Sequence, residues 1–219
     1  MSIVIAIDGA AGTGKSTVSR EVARRLGLEY LDTGATYRVG ALYCLREGID
    51  LKNQDDVTAM IATMNVEMRL DPDNPHVILD GDDVSNLLHT DTISLVVSAV
   101  ATNLDARAVL RDVQRKLIDA SRNRAGVVAE GRDITTVVAP DAEVRVLLTA
   151  DEEARIARRT GDGADPATVR ESVLGRDRKD STVVQFHTAA DGVVEIDTTL
   201  LTLEEVVGAV LTLAKEAGA

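Results

Sequence analysis

Gly9-Ala10-Ala11-Gly12-Thr13-Gly14-Lys15-Ser16 decides how the rest of the chain is read. Before it, Ile3-Val-Ile-Ala-Ile7 is an apolar, largely β-branched run suited to a buried strand. After it, Thr17–Leu26 sets Val18, Val22 and Leu26 at four-residue spacing, one apolar stripe of a helix, and Gly27 supplies the stop. A glycine-rich turn of pattern GxxxxGK[ST] between a strand and a helix N-terminus is built to bind phosphate. Gly9, Gly12 and Gly14 lack a Cβ, so the backbone reaches φ > 0 and brings its N–H groups close to phosphate oxygens. The helix dipole adds positive potential. Lys15 can reach the β- and γ-phosphates of ATP, and the Ser16 hydroxyl can ligate Mg²⁺. The expected ATP-binding set is Gly9, Ala10, Ala11, Gly12, Thr13, Gly14, Lys15, Ser16 and Thr17.

Composition narrows the partners. The 219 residues, 45% hydrophobic, suffice for one domain with a sizeable core. With 24 basic against 36 acidic residues the formal charge is −12, so long polyanions are repelled and no nucleic-acid polymer is expected. Aromatics are limited to Tyr30, Tyr37, Tyr43 and Phe186, too few for a base-stacking surface. No apolar run reaches 18 residues, so no membrane span is expected, and the N-terminus has no signal-like segment. Cys44 is the only cysteine, which excludes internal disulfides and suits a reducing cytoplasm. His76, His89 and His187 form no spaced cluster, so a structural zinc site is excluded.

Downstream, Leu28–Leu31 reads as a short strand, and Asp32 or Thr33 caps a helix that runs to about Glu47. A β-α-β-α start with the glycine loop in its first turn implies a parallel sheet with helices on both faces. Residues 49–63 are a short amphipathic segment. Val66–Leu70 and Val77–Leu79, joined by Pro72-Asp-Asn-Pro75, form a hairpin signature, and Asp80-Gly-Asp-Asp83 turns the chain again. A long helix over Leu104–Ser121 offers Leu104, Ala108, Leu110, Leu117 and Ile118 as buried positions. Gly126–Ala129 is a buried parallel strand ending in Glu130-Gly-Arg132-Asp133. Ligands of open α/β sheets bind off the carboxyl ends of strands, which marks Arg132 and Asp133. Val144–Leu148 is the next strand. An arginine-bearing helix follows from Asp151, broken at Gly161–Pro166, with a second helix from about Ala167 to Asp180. Val193–Ile196 and Leu203–Lys215 close the pattern as strand and helix.

The order of motifs resembles bacterial cytidylate kinases, which are nucleoside monophosphate kinases. The resemblance rests on the glycine loop, Asp32-Thr-Gly-Ala-Thr-Tyr-Arg38, Asp82-Asp-Val-Ser85, Ser98 with Arg107, Glu130-Gly-Arg-Asp133, an arginine-bearing corner, and Arg176-Asp-Arg-Lys-Asp180. It implies an α/β P-loop kinase: a parallel sheet flanked by helices, a small β-containing acceptor-nucleotide insert over about 64–97 and a helical lid over about 151–175, within a single domain 1–219. It implies transfer of the γ-phosphate of Mg·ATP to CMP or dCMP, by a monomer acting on small nucleotides. By the same resemblance Arg38 and Arg132 grip the acceptor phosphate, and Thr33 and Tyr37 line its pocket. Ser98, Arg107 and Asp133 read the cytosine edge, while Arg176 and Asp180 hold the sugar. Lys15, Arg132, Arg155 and Arg159 carry the catalytic charge, the last two from the lid. Five positions depart from the family pattern: His89 for arginine, Glu130 for aspartate, Thr135 for glycine, Ala139 for phenylalanine and Val183 for arginine. Thr135 raises the question of a backbone angle that a β-branched residue resists. Val183 removes one phosphate-facing charge unless Arg178, Lys179 or a lid arginine substitutes. A related kinase with another acceptor, and a nucleotide-binding chain without catalysis, are the alternatives.

Overall fold

The computed structural model describes residues 2–160 and 166–218. In chain order the elements begin β1 (Ile3–Gly9), α1 (Lys15–Leu26), β2 (Glu29–Asp32), α2 (Thr33–Arg46) and α3 (Gln54–Ala62). Next come β3 (Val66–Arg69), β4 (His76–Leu79), β5 (Asp82–Asp83), α4 (Asp91–Ala101) and α5 (Leu104–Arg122). The chain continues through β6 (Gly126–Gly131), β7 (Val144–Thr149), α6 (Glu152–Thr160), α7 (Pro166–Asp180), β8 (Val194–Asp197) and α8 (Leu203–Glu216). A single π-helical turn, Ile134–Val138, follows β6.

The main sheet is all parallel, in the order β2-β6-β1-β7-β8. Alternation along β1 splits its side chains between two cores. Ile3, Ile5 and Ile7 pack with Val18 and Val22 of α1 and Val206, Val207 and Val210 of α8. Val4 and Ala6 pack on the other face with Ile118 of α5 and Ile134 and Val138 of the π-helical turn. Strand order reverses at β1, which has β6 on one side and β7 on the other, so the crevice at its carboxyl end is a topological switch point. Gly9, the last residue of β1, opens the glycine loop there.

The helix starts are written in the sequence. Asp32 accepts from the Ala35 N–H at 3.2 Å to cap α2, Asn103 caps α5, and Thr202 with Glu205 forms a capping box on α8. Three expectations change. First, α1 begins at Lys15, not Thr17. Second, Asp82–Asp83 is a third strand beside β4, so the small sheet is β3-β4-β5 rather than a bare hairpin. Third, Leu104 is 67% exposed, because the buried stripe of α5 is Ala106, Leu110, Gln114 and Ile118. Leu104 lies two residues before that stripe, about 200° around the helix. Most of the expected break at Gly161–Pro166 lies outside the described residues.

The β3-β4-β5 sheet packs Val77 and Leu79 against Ala35, Val39 and Leu42 of α2 and Ile93 of α4. It is tied to the main body where the Tyr30 N–H donates to the Leu70 carbonyl at 2.8 Å and Arg20 of α1 donates to the Pro72 carbonyl at 3.0 Å. No single helix among the described residues is long and apolar enough to cross a membrane.

Candidate active site

The glycine loop does what its composition requires, for reasons that differ by position. Gly14 is the N-cap of α1 at φ +88°, with no side chain capping the first turn, so the leading N–H groups of α1 stay available to an anion. Gly12 has φ +82°, and a Cβ there would sit 2.7 Å from the Arg155 carbonyl. Gly9 is not at positive φ; it is needed because a Cβ would meet the Leu148 carbonyl at 2.6 Å.

Two cavities open from this loop. One, of about 380 Å³, is walled by Gly12, Thr13, Gly14 and Thr17 on one side and by Arg158, Thr198 and Leu201 on the other. The second, of about 230 Å³, lies between the ends of β2 and β6, helices α2 and α4, and α7. Lys15, Ser16 and Arg159 line both, so the cavities meet at the lysine end of the loop. Gly9 and Ala10 line neither; Ala10 is buried against Val184 and Phe186.

The second cavity collects most of the acceptor residues expected from sequence: Thr33, Tyr37 and Arg38 from α2, Arg107 from α5, Arg132 and Asp133 from the end of β6, and Asp180 from α7. Several of its charges are paired. Arg107 bonds to Asp133 and lies over the Tyr37 ring at 5.2 Å. Burial pushes the Tyr37 hydroxyl up to about 12, so it stays a neutral donor. Arg132 reaches Asp177 at 2.7 Å and Asp180 at 3.2 Å. Arg38 donates to the Leu88 carbonyl at 3.0 Å, and burial lowers its pKa. Thr33 donates to the Glu130 carbonyl at 2.7 Å, joining α2 to β6.

Glu130 is 2% exposed. It accepts from Tyr30 Oη at 2.8 Å, stands 3.8 Å from Lys15 Nζ and bonds to the Ser16 hydroxyl. Burial raises its pKa against the pull of Lys15. Its extra methylene relative to aspartate spans β6 to the first turn of α1.

Two expected residues fall elsewhere. Arg155 lines neither cavity: it is buried, donates to the Ala11 carbonyl at 3.1 Å and pairs with Asp177. It holds the loop rather than facing a ligand, because α6 packs directly over Gly12. Ser98 is off the cavity wall, which α4 presents through Ser94, Val97 and Ala101. The side chain of Arg176 lies outside the described residues.

The departures resolve in part. Thr135 is not at positive φ; among the described non-glycine residues only Asp80 is. Val183 packs beside the Ala10–Val184–Phe186 cluster, and Arg132 lies over the Phe186 ring at 4.4 Å. Arg178 and Lys179 are exposed and off the cavity wall, whereas Arg159 of α6 is on it. His89 lines the second cavity, and Ala139 is buried in the core.

Asp177 was missed by sequence reading. It is 5% exposed, takes the Ala11 N–H at 3.2 Å and joins Arg132 to Arg155. Burial pushes its carboxyl up, but the two arginines and the Ala11 N–H together hold it below the usual range. Its place three residues before Asp180, on one helix face, was the available signal. Asp32, read only as a cap, also lines the second cavity.

A phosphate loop at the switch point of a parallel sheet, opening onto two cavities that share its lysine, defines a P-loop kinase. A sugar kinase from a Janibacter species shares the fold, with TM-score 0.52 and 13% identity over 100% of this chain and 99% of that one. A gluconokinase from Sinorhizobium meliloti does so with TM-score 0.50 and 15% identity over 99% and 93%. The chain belongs to the cytidylate kinase family, whose sequence profile matches residues 5–216. The cytidylate kinase of Streptomyces avermitilis is 42% identical over 218 residues, 98% of this chain and 94% of that protein. That of Cutibacterium acnes is 44% identical over 215 residues, 96% and 95%.

Proposed function

We propose that this chain transfers the γ-phosphate of Mg·ATP to CMP or dCMP, giving CDP or dCDP and ADP. The observation that carries the reading is the meeting of two cavities at Lys15, Ser16 and Arg159. A donor triphosphate on the loop and an acceptor monophosphate in the second cavity then share one end, where the transferred group lies between cations. In line with this, the family match and its curated relatives support cytidylate as the acceptor.

No general base is required. The acceptor is a phosphate monoester whose second pKa is about 6, so it is ionised at neutral pH. The catalytic work is alignment and charge neutralisation. Lys15 and Arg159 face the junction; Arg38 and Arg132 are the cations nearest the acceptor side. Binding of the acceptor phosphate competes with Asp177 and Asp180 for Arg132. Asp133 is suited to accept from the exocyclic amine of cytosine, with Arg107, itself stacked on Tyr37, fixing its direction and Asp180 suited to the sugar hydroxyls. Arg155 and Asp177 act as positioning residues under the loop.

The described residues hold no cluster of three or more His, Cys, Asp or Glu suited to a metal. The Ser16 hydroxyl and the Glu130 carboxylate form a hard oxygen pair at the loop, which fits Mg²⁺ that arrives with ATP and takes its other ligands from phosphates and water. When bound, Mg²⁺ neutralises charge on the β- and γ-phosphates. The lone, buried Cys44 is consistent with work in a reducing cytoplasm.

Coupled ADP release with Mg·ATP against CMP, dCMP, UMP, AMP and GMP tests the reading. Turnover selective for CMP and dCMP is expected. Selective turnover of another monophosphate would keep the mechanism and overturn the acceptor; ATP binding without any turnover would overturn both.

A further inference from the structure

Asp133 stands at a helical start with its carboxylate turned the wrong way for that position. An aspartate preceding a helical turn ordinarily folds back to accept from the N–H of the turn's second or third residue, here Thr135 or Thr136. Here Asp133 makes no such cap, and its side chain bonds Arg107 instead. The Thr135 N–H that it could have served, and the Ile134 N–H before it, are taken by a residue of β1. Asp8, next to last on β1, accepts from the Ile134 N–H at 2.9 Å on one oxygen, and from the Thr135 N–H at 2.8 Å and the Thr135 hydroxyl at 2.6 Å on the other.

We infer that Asp8 is a positioning residue for acceptor recognition: its buried carboxylate caps the Ile134–Val138 turn from outside, which releases Asp133 to face Arg107 and the acceptor cavity, and the Thr135 hydroxyl completes the clamp. Several observations converge. Asp8 is 2% exposed, so its oxygens need protein donors, and the turn supplies them. Its Cα pairs in register with Gly131, immediately before Arg132. Gly9, its neighbour, accepts from Arg132 Nη1 at 3.4 Å. The pair Asp8–Gly9 therefore grips both ends of the Arg132–Thr135 segment and ties it to the first residue of the phosphate loop. π-helical turns are rare and frequently lie at functional sites. Thr135 is one of this chain's departures from the family pattern, and it contributes a donor that glycine lacks.

The inference rests on the acceptor reading proposed above. The test therefore combines a substrate measurement with one independent of substrate. Asp8→Asn, Thr135→Val and Asp133→Ala are compared with the native protein. Amide hydrogen exchange at Ile134 and Thr135 is expected to quicken by about 10-fold or more in Asp8→Asn and by less in Thr135→Val. Unchanged exchange in both overturns the clamp, whatever the substrate. In turnover, Asp8→Asn is expected to raise KM for CMP by about 10-fold and to reduce the CMP-over-UMP preference, with KM for ATP within about 2-fold. Thr135→Val is near-isosteric and is expected to shift the same parameters by about 3-fold; it carries the test should Asp8→Asn fail to fold. A parallel rise in both KM values, or an unmoved preference, overturns the positioning role. Asp133→Ala that leaves the CMP-over-UMP preference intact overturns the base-reading assignment instead, and the exchange result still decides the clamp.

Discussion

The two cavities that meet at Lys15 are built by different means. The donor side is mostly backbone: consecutive N–H groups of residues 12–17 and the uncapped start of α1, with glycines where a Cβ would collide. The acceptor side is mostly side chains, held by ion pairs between elements far apart in the chain: Arg107 with Asp133, Arg132 with Asp177 and Asp180. A phosphate chain presents the same charge pattern in every nucleotide, so a repeated backbone amide suffices for it. A particular base and sugar require donors and acceptors at individual places, which only side chains supply. The two sides are not independent, since both backbone polar groups of Ala11 are claimed by the helices after β7: its N–H by Asp177 of α7 and its carbonyl by Arg155 of α6.

That contrast can be broken at four points. Lys15→Ala removes the charge shared by both cavities, and kcat is expected to fall on the order of 1000-fold with every acceptor; coupled ADP release measures it, and near-normal turnover contradicts the junction. Asp177→Asn is expected to destabilise the fold by about 3 kcal/mol, because buried Arg155 and partly buried Arg132 lose their shared partner. Thermal unfolding gives that figure, and KM is expected to rise for ATP and CMP together, unlike any change confined to one cavity.

The third point concerns pH. Burial holds the Asp8 carboxyl up at about 6 against an ordinary 3.8, with its hydrogen bonds opposing the rise. Its favourable contribution to folding is therefore complete below pH 3.8 and lost as pH rises through 6, a change on the order of 3 kcal/mol. Asp8→Asn has no such step. The stability advantage of the native protein over the variant is expected to shrink between pH 4 and pH 7 in thermal melts; a constant gap contradicts it. The smallest effect sharpens the contrast most. Asp133→Ala is expected to cost roughly 1–3 kcal/mol in kcat/KM for CMP, with KM for ATP unmoved. Equal effects on both nucleotides would mean that base reading lies elsewhere.

The donor side could be read directly from residues 3–26, because a strand, a turn that needs glycine and an amphipathic helix are each specified by neighbours in the chain. Helix caps at Asp32, Asn103 and Thr202 belong to the same class of local fact. The main sheet's parallel character followed from the order of elements, and the cytidylate kinase resemblance followed from the order of motifs. The sequence could not tell Arg155 from Arg159: both lie on α6, but one turns under the loop to Asp177 and the other reaches the junction. Nor did it assign Asp8 or Asp177, whose partners lie 126 and 166 positions away for Ile134 and Ala11 respectively. Local periodicity records which face of an element is apolar. It carries no trace of which buried charge on one element meets which donor on another, since that pairing exists only once the layers have packed and water has been excluded from between them.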